Sequence, residues 1–132
     1  IYVDPIIDLI LSCRGEDGPC SSSNLKALAH ITGGGLSNLL RLHDSLGWNI
    51  TQPMPIPPEF KWISEVGSIS NKEMHRTFNM GLGMVLAVSP NYAQEVLNWL
   101  NNRLSGCKII GIVNDNGHRV THIDPKVIFE HY

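Results

Sequence analysis

Three consecutive glycines follow a short apolar run in "LAHITGGGL", residues 28–36. Backbone N–H groups at the start of a helix have no intrahelical partner, and the helix dipole favours negative charge there. Glycines at positions 33, 34 and 35 would let a phosphate reach such N–H groups, and the Thr32 hydroxyl could donate a further hydrogen bond. Thr32, Gly33, Gly34 and Gly35 therefore predict a phosphate-binding site. A tight strand-to-helix turn would use the same glycines, so that structural interpretation stays open.

A second polar stretch, "MHRTFNMGLG", spans residues 74–83. The spacing of Met74 and Phe78 places both on the buried side of a helix, so Arg76 and Asn79 project elsewhere. Arg76 could make a bidentate contact with a phosphate or a carboxylate. A solvated or structural arginine is the alternative, and Asn79 could equally cap the backbone at the helix end.

The histidines form no evident catalytic or metal-binding set. His30 lies in an apolar strand, which predicts a packed, hydrogen-bonded core residue, and the following glycines alone make it a cleft candidate. His118 and His122 are four apart in a predicted strand, so a solvated hairpin is favoured over a zinc pair. His75 could equally be an exposed helix residue. No Ser-His-Asp or Cys-His order stands out, so we assign no catalytic residue, no general base and no metal site.

Hydrophobic periodicity and turn signals predict the elements that must position these residues. The predicted helices begin at Asp4-Pro5, at residue 36, at residue 58, at Ser70 and at Ser89-Pro90. The predicted strands cover residues 25–32, 47–51, 82–88 and 107–113, with an Asn116-Gly117 hairpin turn leading into a last one. Ser70 and Glu73 form a capping box, and the first helix should bury Ile6, Ile7, Ile10 and Leu11. The pattern predicts an α/β fold, with a mixed sheet of about four to five strands and helices on its faces.

Composition bounds the class of protein. The chain has 132 residues, of which 42% are hydrophobic and 17% charged, as in an ordinary globular domain. A net charge of −2 suggests neither a nucleic-acid partner nor a membrane surface, and no apolar run approaches the roughly 18 residues of a membrane span. Cys13, Cys20 and Cys107 are an odd number without CxxC spacing, which favours free thiols and a cytoplasmic location. Because the sequence opens with Ile1, we expect a piece of a longer polypeptide that forms a single domain, 1–132.

Three stretches carry a family resemblance: "ALAHITGGGLSNLLRL", "PPEFKWISEVGSIS" and "EMHRTFNMGLGMVLAV". Together they resemble the C-terminal domain of aminoimidazole ribonucleotide (AIR) synthetase, also called phosphoribosylformylglycinamidine cyclo-ligase. The likeness runs from about Ile1 to about Ile112, and residues 30–35 and 76–81 are its most specific motifs. It implies an AIR synthase C-terminal-domain-like unit with three α-β-α layers.

The resemblance also implies a function. The full enzyme would be a cytoplasmic homodimer that converts formylglycinamidine ribonucleotide and ATP to aminoimidazole ribonucleotide, ADP and phosphate in purine biosynthesis. ATP and Mg²⁺ would bind mainly through an N-terminal domain absent here, so the fragment should hold no cofactor and be inactive alone. The family's substrate phosphate would fall on residues 32–35, with His30, Arg76 and Asn79 as possible cleft residues.

Two departures and two alternatives accompany this interpretation. His75 stands where the family often has tyrosine, and "SNLLRLHDSLGW" differs from the commoner "ENIPRVLP" after the glycines. One alternative is another ATP-dependent member of the superfamily, of the selenophosphate synthetase, thiamin-phosphate kinase or hydrogenase-maturation type. The R-T-F-N-M-G stretch speaks against it. The other is a non-enzymatic module for anion binding or dimerisation.

Overall fold

Helices and strands alternate along the chain in the computed structural model, which describes residues 2–132. The α-helices are α1 (Val3–Arg14), α2 (Pro58–Gly67), α3 (Asn71–Thr77) and α4 (Ala93–Asn101). Short 3₁₀ helices cover Ser22–Asn24, Gly35–Leu42 and Pro90–Tyr92. The strands are β1 (Leu25–His30), β2 (Gly47–Ile50), β3 (Met84–Val88), β4 (Gly111–Asn114) and β5 (Val120–His122). This order confirms the predicted α/β class.

The chain divides into two compact units, Ile1–Leu28 with Leu86–Ile109, and Ala29–Val85 with Ile110–Tyr132. The assignment of 1–132 to a single domain remains a prediction. Among the described residues, no helix has both the length and the apolar character needed to cross a membrane.

The first unit has its core between α1 and α4. Ile6, Leu9 and Cys13 are buried on α1, where they contact Val96 and Leu100 of α4. The prediction that Ile7 and Leu11 face inward is wrong, because they are 48% and 58% exposed. Apolar residues lie on more than one side of α1, and the side that packs follows the spacing i, i+3, i+7. The helix also begins one residue before Asp4, which lies in the first turn and does not cap it.

Strands β1 and β3 form a two-stranded sheet. Beyond one end, Ile31 N–H donates to Gly83 O at 2.9 Å, and beyond the other, Ser89 N–H donates to Asn24 O at 2.9 Å. Position 31 is paired with 83 and position 24 with 89, so the two strands run antiparallel.

Burial alternates along β1, and this corrects the prediction for His30. Ala29 and Ile31 are 7% and 2% exposed, whereas the His30 side chain is exposed. Successive side chains of a strand point to opposite faces, so His30 cannot share the buried face with its neighbours. An apolar neighbourhood in sequence therefore did not make this histidine a core residue.

The other three strands form a mixed sheet in the order β4-β2-β5. Strand β2 is antiparallel to β4, with Trp48 opposite Val113, and parallel to β5, with Trp48 opposite Val120. Because β2 lies between β4 and β5, the predicted Asn116-Gly117 hairpin is wrong. The five strands thus lie in two sheets and not in the single mixed sheet that we predicted.

The segment from α2 to α3 agrees more closely with the sequence. Residues 53–57 form neither helix nor strand before α2 begins at Pro58. The Ser70 hydroxyl accepts a hydrogen bond from Glu73 N–H at 3.2 Å, which confirms the cap of α3. Phe60 of α2 and Phe78, just after α3, have ring centroids 5.6 Å apart. The Phe60–Phe78 contact joins α2 to the end of α3, and Met74 of α3 is buried.

Candidate functional site

The glycine loop, residues 32–35, joins β1 to the 3₁₀ helix Gly35–Leu42 within the second unit. Gly35 N–H donates to Thr32 O at 2.9 Å and closes a four-residue turn. Gly34 and Gly35 have φ angles of 97° and 51°, a conformation that side chains disfavour. The structural interpretation of the glycines therefore holds for part of the motif.

Two buried polar side chains fix the carbonyl groups of this loop. The Asn38 amide nitrogen donates to Gly35 O at 2.8 Å and to Gly33 O at 3.3 Å, with a longer contact to Thr32 O at 3.5 Å. The Ser37 hydroxyl donates to Gly34 O at 2.6 Å. Asn38 and Ser37 are only 5% and 1% exposed, so the loop carbonyls are held toward the protein interior.

This arrangement orients two backbone N–H groups outward. In a trans peptide unit the C=O and the following N–H point in opposite directions. Since Thr32 O and Gly33 O face Asn38, the N–H groups of Gly33 and Gly34 face away from it. Neither N–H has a hydrogen-bond acceptor within residues 2–132. Two adjacent outward N–H groups form the kind of concave donor pair that binds an anion.

The structure places a different constraint on each of the three glycines. A side chain on Gly35 would overlap the main-chain carbonyl oxygen of His75 in α3. Gly34 needs its positive φ, and an added Cβ would also lie 3.3 Å from the Tyr132 ring. A Cβ on Gly33 would meet nothing within 4 Å, and its φ is not positive. The fold therefore requires no glycine at position 33.

The other predicted site residues differ in their exposure and in the contacts that they make. The Thr32 side chain is exposed, and its hydroxyl has no partner among the described residues. The Arg76 guanidinium lies 6.0 Å from the centroid of the Phe129 ring. Asn79 Oδ1 accepts from Gly81 N–H at 3.0 Å, which is the capping alternative raised for it. His30 is exposed, two residues before Thr32.

Two residues near the glycine loop, Arg41 and Tyr132, were not predicted from the sequence. The Tyr132 ring lies over Gly34, and the Arg41 guanidinium lies 4.7 Å from the centre of that ring. Arg41 Nη1 also donates to the Tyr132 hydroxyl at 3.2 Å. The two residues are 91 positions apart, and no sequence pattern links them. They add a cation and an aromatic ring to the rim of the glycine loop.

A cavity of about 370 Å³ lies in the same unit. Its walls combine apolar side chains with His75, Asn79, His122 and Asp124. Apolar lining with a few polar groups is typical of small-molecule sites. Leu36, which directly follows Gly35, is part of the wall and connects the cavity to the glycine loop.

His75 and His122 contact each other in the cavity wall, with ring centroids 4.8 Å apart. His75 is 4% exposed, so the prediction that it could be an exposed helix residue is wrong. His75 Nδ1 lies 2.8 Å from Asn71 O, which accepts only, so this nitrogen carries the proton. His122 Nδ1 accepts from Asp124 N–H at 3.1 Å, which leaves the proton of the neutral ring on Nε2. That buried Nε2 has no partner among the described residues.

The environment shifts two pKa values in this wall. Burial lowers the pKa of His122, the nearby His75 lowers it further, and Asp124 acts in the opposite direction. The hydrogen bond from Asn71 Nδ2 to Asp124 Oδ2, at 2.7 Å, lowers the pKa of Asp124, as does the bond from Lys126 N–H. The wall therefore presents a neutral His122 and an ionised Asp124 near neutral pH.

The described residues have an α/β fold, in which an exposed glycine loop connects β1 to a 3₁₀ helix. Residues 7–124 match the family described as "AIR synthase related protein, C-terminal domain". Because this match covers most of the chain, the protein belongs to that family. The family resemblance that the glycine loop and the α3 motif suggested is thereby confirmed.

Curated relatives carry the name phosphoribosylformylglycinamidine cyclo-ligase. The protein of Methanopyrus kandleri is 35% identical over 94% of this chain, and the chloroplastic protein of Arabidopsis thaliana is 45% identical over 77%. The chain spans 33% and 24% of the lengths of these two relatives. It therefore corresponds to about a third of such a protein or less.

A solved structure shares the fold. The crystal structure of a HypE–HypF complex covers 78% of this chain with a TM-score of 0.57. The sequence identity is 24%, so this likeness concerns the fold alone.

Proposed function

We propose that this chain is the substrate-side domain of a phosphoribosylformylglycinamidine cyclo-ligase and that its glycine loop binds the substrate phosphate. The overall reaction converts formylglycinamidine ribonucleotide and ATP to aminoimidazole ribonucleotide, ADP and phosphate. One observation carries the assignment of the loop: Gly33 is a glycine that the fold does not require. A close approach of a ligand to the backbone explains it.

The loop has the chemistry that a phosphate needs. The outward N–H groups of Gly33 and Gly34 belong to the peptide units whose carbonyls, Thr32 O and Gly33 O, face Asn38, so these donors are already oriented before binding. The exposed Thr32 hydroxyl supplies a third donor. Hydrogen bonds from such donors to a charged phosphate are stronger than bonds between neutral groups. The role of this domain is then to hold the ribonucleotide in position for ring closure.

Arg76, Asn79 and His30 are weaker candidates for the same cleft. The backbone carbonyl oxygens of His75 and Phe78, on either side of Arg76 and Thr77, approach Gly35, so this part of α3 borders the loop. The Arg76 guanidinium is exposed and has no carboxylate partner among the described residues. It therefore remains free to meet a phosphate or a carboxylate of the substrate.

ATP and Mg²⁺ belong to another part of the cyclo-ligase in this proposal. Within residues 2–132, no three His, Cys, Asp or Glu side chains are grouped to hold a metal ion. We assign the residues of this chain to the ribonucleotide, and ATP and Mg²⁺ to the N-terminal domain of the enzyme. The chain alone should not turn over ATP, and the intact enzyme should be a cytoplasmic homodimer.

The sequence identities support a cyclo-ligase over the other members of the superfamily. Their identities of 35% and 45% exceed the 24% of the HypE–HypF structure. A selenophosphate synthetase, a kinase or a hydrogenase-maturation protein would share the fold without the R-T-F-N-M-G motif of residues 76–81.

The natural polypeptide that carries this chain tests the function. With ATP and formylglycinamidine ribonucleotide, it should release aminoimidazole ribonucleotide, measured by diazotisation of the product amine. A folded polypeptide that binds inorganic phosphate at Gly33 and Gly34 but makes no product would identify a binding module instead. Backbone amide NMR of the 132-residue chain, titrated with inorganic phosphate, locates the site. Shifts confined to other segments would refute the glycine loop.

A further inference from the structure

Cys13 and Cys20 lie against each other in the first unit. Their Sγ atoms are 4.0 Å apart, within the distance of a weak thiol hydrogen bond. Cys13 belongs to the last turn of α1 and is 2% exposed, whereas Cys20 follows in a loop and is half-buried. The seven-residue spacing matches no cysteine motif, so the sequence alone gave no sign of this pair.

The loop after α1 folds back to bring the two thiols together. Gly18 N–H donates to Ser12 O at 3.0 Å, and a Cβ on Gly18 would lie 2.7 Å from the Cys13 nitrogen. Only a glycine permits this close approach of the loop to the helix. Cys20 then packs against the same apolar core as Cys13. The position of Cys20 is therefore built into the fold of the loop.

We propose that Cys13 and Cys20 form an oxidisable thiol pair, a modification site at which a small-molecule disulfide such as glutathione disulfide introduces an intramolecular disulfide bond. An S–S bond of about 2.05 Å requires the two sulfurs to approach by about 2 Å. Cys20 lies outside any helix or strand, so rotation of its side chain and a small shift of the loop can supply this movement.

The exchange balances in two steps. The Cys20 thiolate attacks one sulfur of glutathione disulfide, forming a mixed disulfide and releasing one glutathione thiolate. The Cys13 thiolate then attacks Cys20 Sγ, forms the Cys13–Cys20 bond and releases the second glutathione thiolate. The two protein thiol protons end on two glutathione molecules, and glutathione disulfide is the oxidant. Cys20 attacks first because it is the more exposed thiol.

Neighbouring groups set the speed of the first step. Burial raises the pKa of Cys20, and so do the contact with Cys13 and the negative charge of Glu95. The thiolate is therefore scarce at neutral pH, and exchange should accelerate as the pH rises. Glu95→Gln removes the smallest of these causes and should accelerate exchange by at most about twofold at a fixed pH near 8, since more Cys20 is then ionised.

Cys107 is the internal control of the chain. Its thiol donates to Leu104 O at 3.4 Å, and burial raises its pKa as well. Cys107 thus resembles Cys20 in burial and pKa direction, but its recorded partner is a carbonyl oxygen and not a thiol. Oxidation of Cys107 should therefore stop at a mixed disulfide with glutathione, whereas oxidation of Cys20 should continue to the disulfide with Cys13.

The experiment treats the reduced 132-residue chain with glutathione disulfide near pH 8, then traps free thiols with N-ethylmaleimide for intact mass and peptide mapping. We expect Cys13 and Cys20 to be linked and to carry no N-ethylmaleimide, so that, apart from the adduct at Cys107, the chain is about 2 Da lighter than its reduced form. Circular dichroism confirms that the chain is folded, and the melting temperature of the oxidised form should rise.

Single variants separate the two steps. Cys13→Ala should accumulate the mixed disulfide at Cys20, and Cys20→Ser should leave Cys13 unreactive in the folded chain. If Cys13→Ala fails to fold, Cys20→Ser, which changes a half-buried residue, and the wild-type peptide map still show whether Cys13 and Cys20 form a disulfide. The proposal is overturned if folded wild-type protein stops at a mixed disulfide, if peptide mapping finds no link between Cys13 and Cys20, or if no thiol is lost.

Discussion

A methyl group on Gly35 would overlap the main-chain carbonyl oxygen of His75. The glycine loop therefore lies directly against α3, and the two most specific motifs of the sequence meet through the backbone. Residues 30–35 and 76–81 are consequently one structural unit, with the loop carbonyls held inward by Asn38.

Gly35→Ala should lower the free energy of unfolding by at least about 2 kcal/mol, because the clash adds to a disfavoured φ of 51°. Urea unfolding followed by circular dichroism measures the change. Gly15→Ala is the matched control, since its Cβ would meet only ordinary contacts at 3.8 Å. Equal stabilities of Gly35→Ala and Gly15→Ala would show that the loop does not pack on α3.

Gly33→Ala should separate binding from stability. We expect the free energy of unfolding to change by less than about 0.5 kcal/mol, because a Cβ there meets open space. Phosphate affinity should fall about fivefold or more, since crowding the N–H pair costs the equivalent of one hydrogen bond, about 1 kcal/mol. Amide NMR titration with inorganic phosphate measures this. Unchanged affinity in Gly33→Ala would remove the main support for the site.

Local signals predicted much of the fold. The Ser70 cap, the start of α2 at Pro58 and the positions of β1 and β2 follow from rules that act within a few residues. The glycine loop was also visible, because three glycines between an apolar strand and a helix are unusual.

Features that depend on partners distant in sequence could not be predicted. The insertion of β2 between β4 and β5 is one, because an Asn-Gly pair fits any turn and specifies no neighbouring strand. The exposure of His30 depends on which face of β1 is packed. The contact of His75 with His122 depends on a sheet register that no local pattern encodes.

Arg76→Ala should weaken substrate use more than stability. The Arg76 guanidinium lies on the exposed side of α3, beside Phe129, so its loss removes a cation without opening the core. In the intact cyclo-ligase we expect kcat/KM to fall at least about tenfold, as for loss of a charged contact of about 1.4 kcal/mol. Lys72→Ala is the control, because the Lys72 ammonium lies 5.9 Å from the same ring. If Arg76→Ala lowers only the melting temperature, Arg76 is structural.

The chain should lose stability as the pH falls below about 6.5, the ordinary pKa of histidine. Burial, with help from His75, lowers the pKa of His122 in the folded state. Between the ordinary and the lowered pKa, the unfolded chain therefore binds a proton that the folded chain does not, and acid favours unfolding. The pKa of Asp124 is lowered too, but its effect appears only near and below pH 4.

Urea unfolding at pH 7.0, 6.0 and 5.5 isolates the contribution of His122. His122→Gln should flatten the decline in this window, because it removes the buried ring whose pKa is lowered in the folded state. His131→Gln replaces an exposed histidine and should leave the decline in place. A His122→Gln chain with the same pH dependence as wild type would mean that another group controls the acid sensitivity.

Gly47→Ala should destabilise the β4-β2-β5 sheet. The chain leaving β4 crosses the start of β2, where a Cβ on Gly47 would lie 2.5 Å from Gly117 O and 2.6 Å from Asn114 Oδ1. Shortening Asn114 to alanine relieves only the second contact, so Gly47→Ala with Asn114→Ala should recover part of the stability. We expect a loss of about 2 kcal/mol for Gly47→Ala alone, measured by urea unfolding. In a β4–β5 hairpin the connection would not cross β2, so a neutral Gly47→Ala would favour that hairpin over the observed strand order.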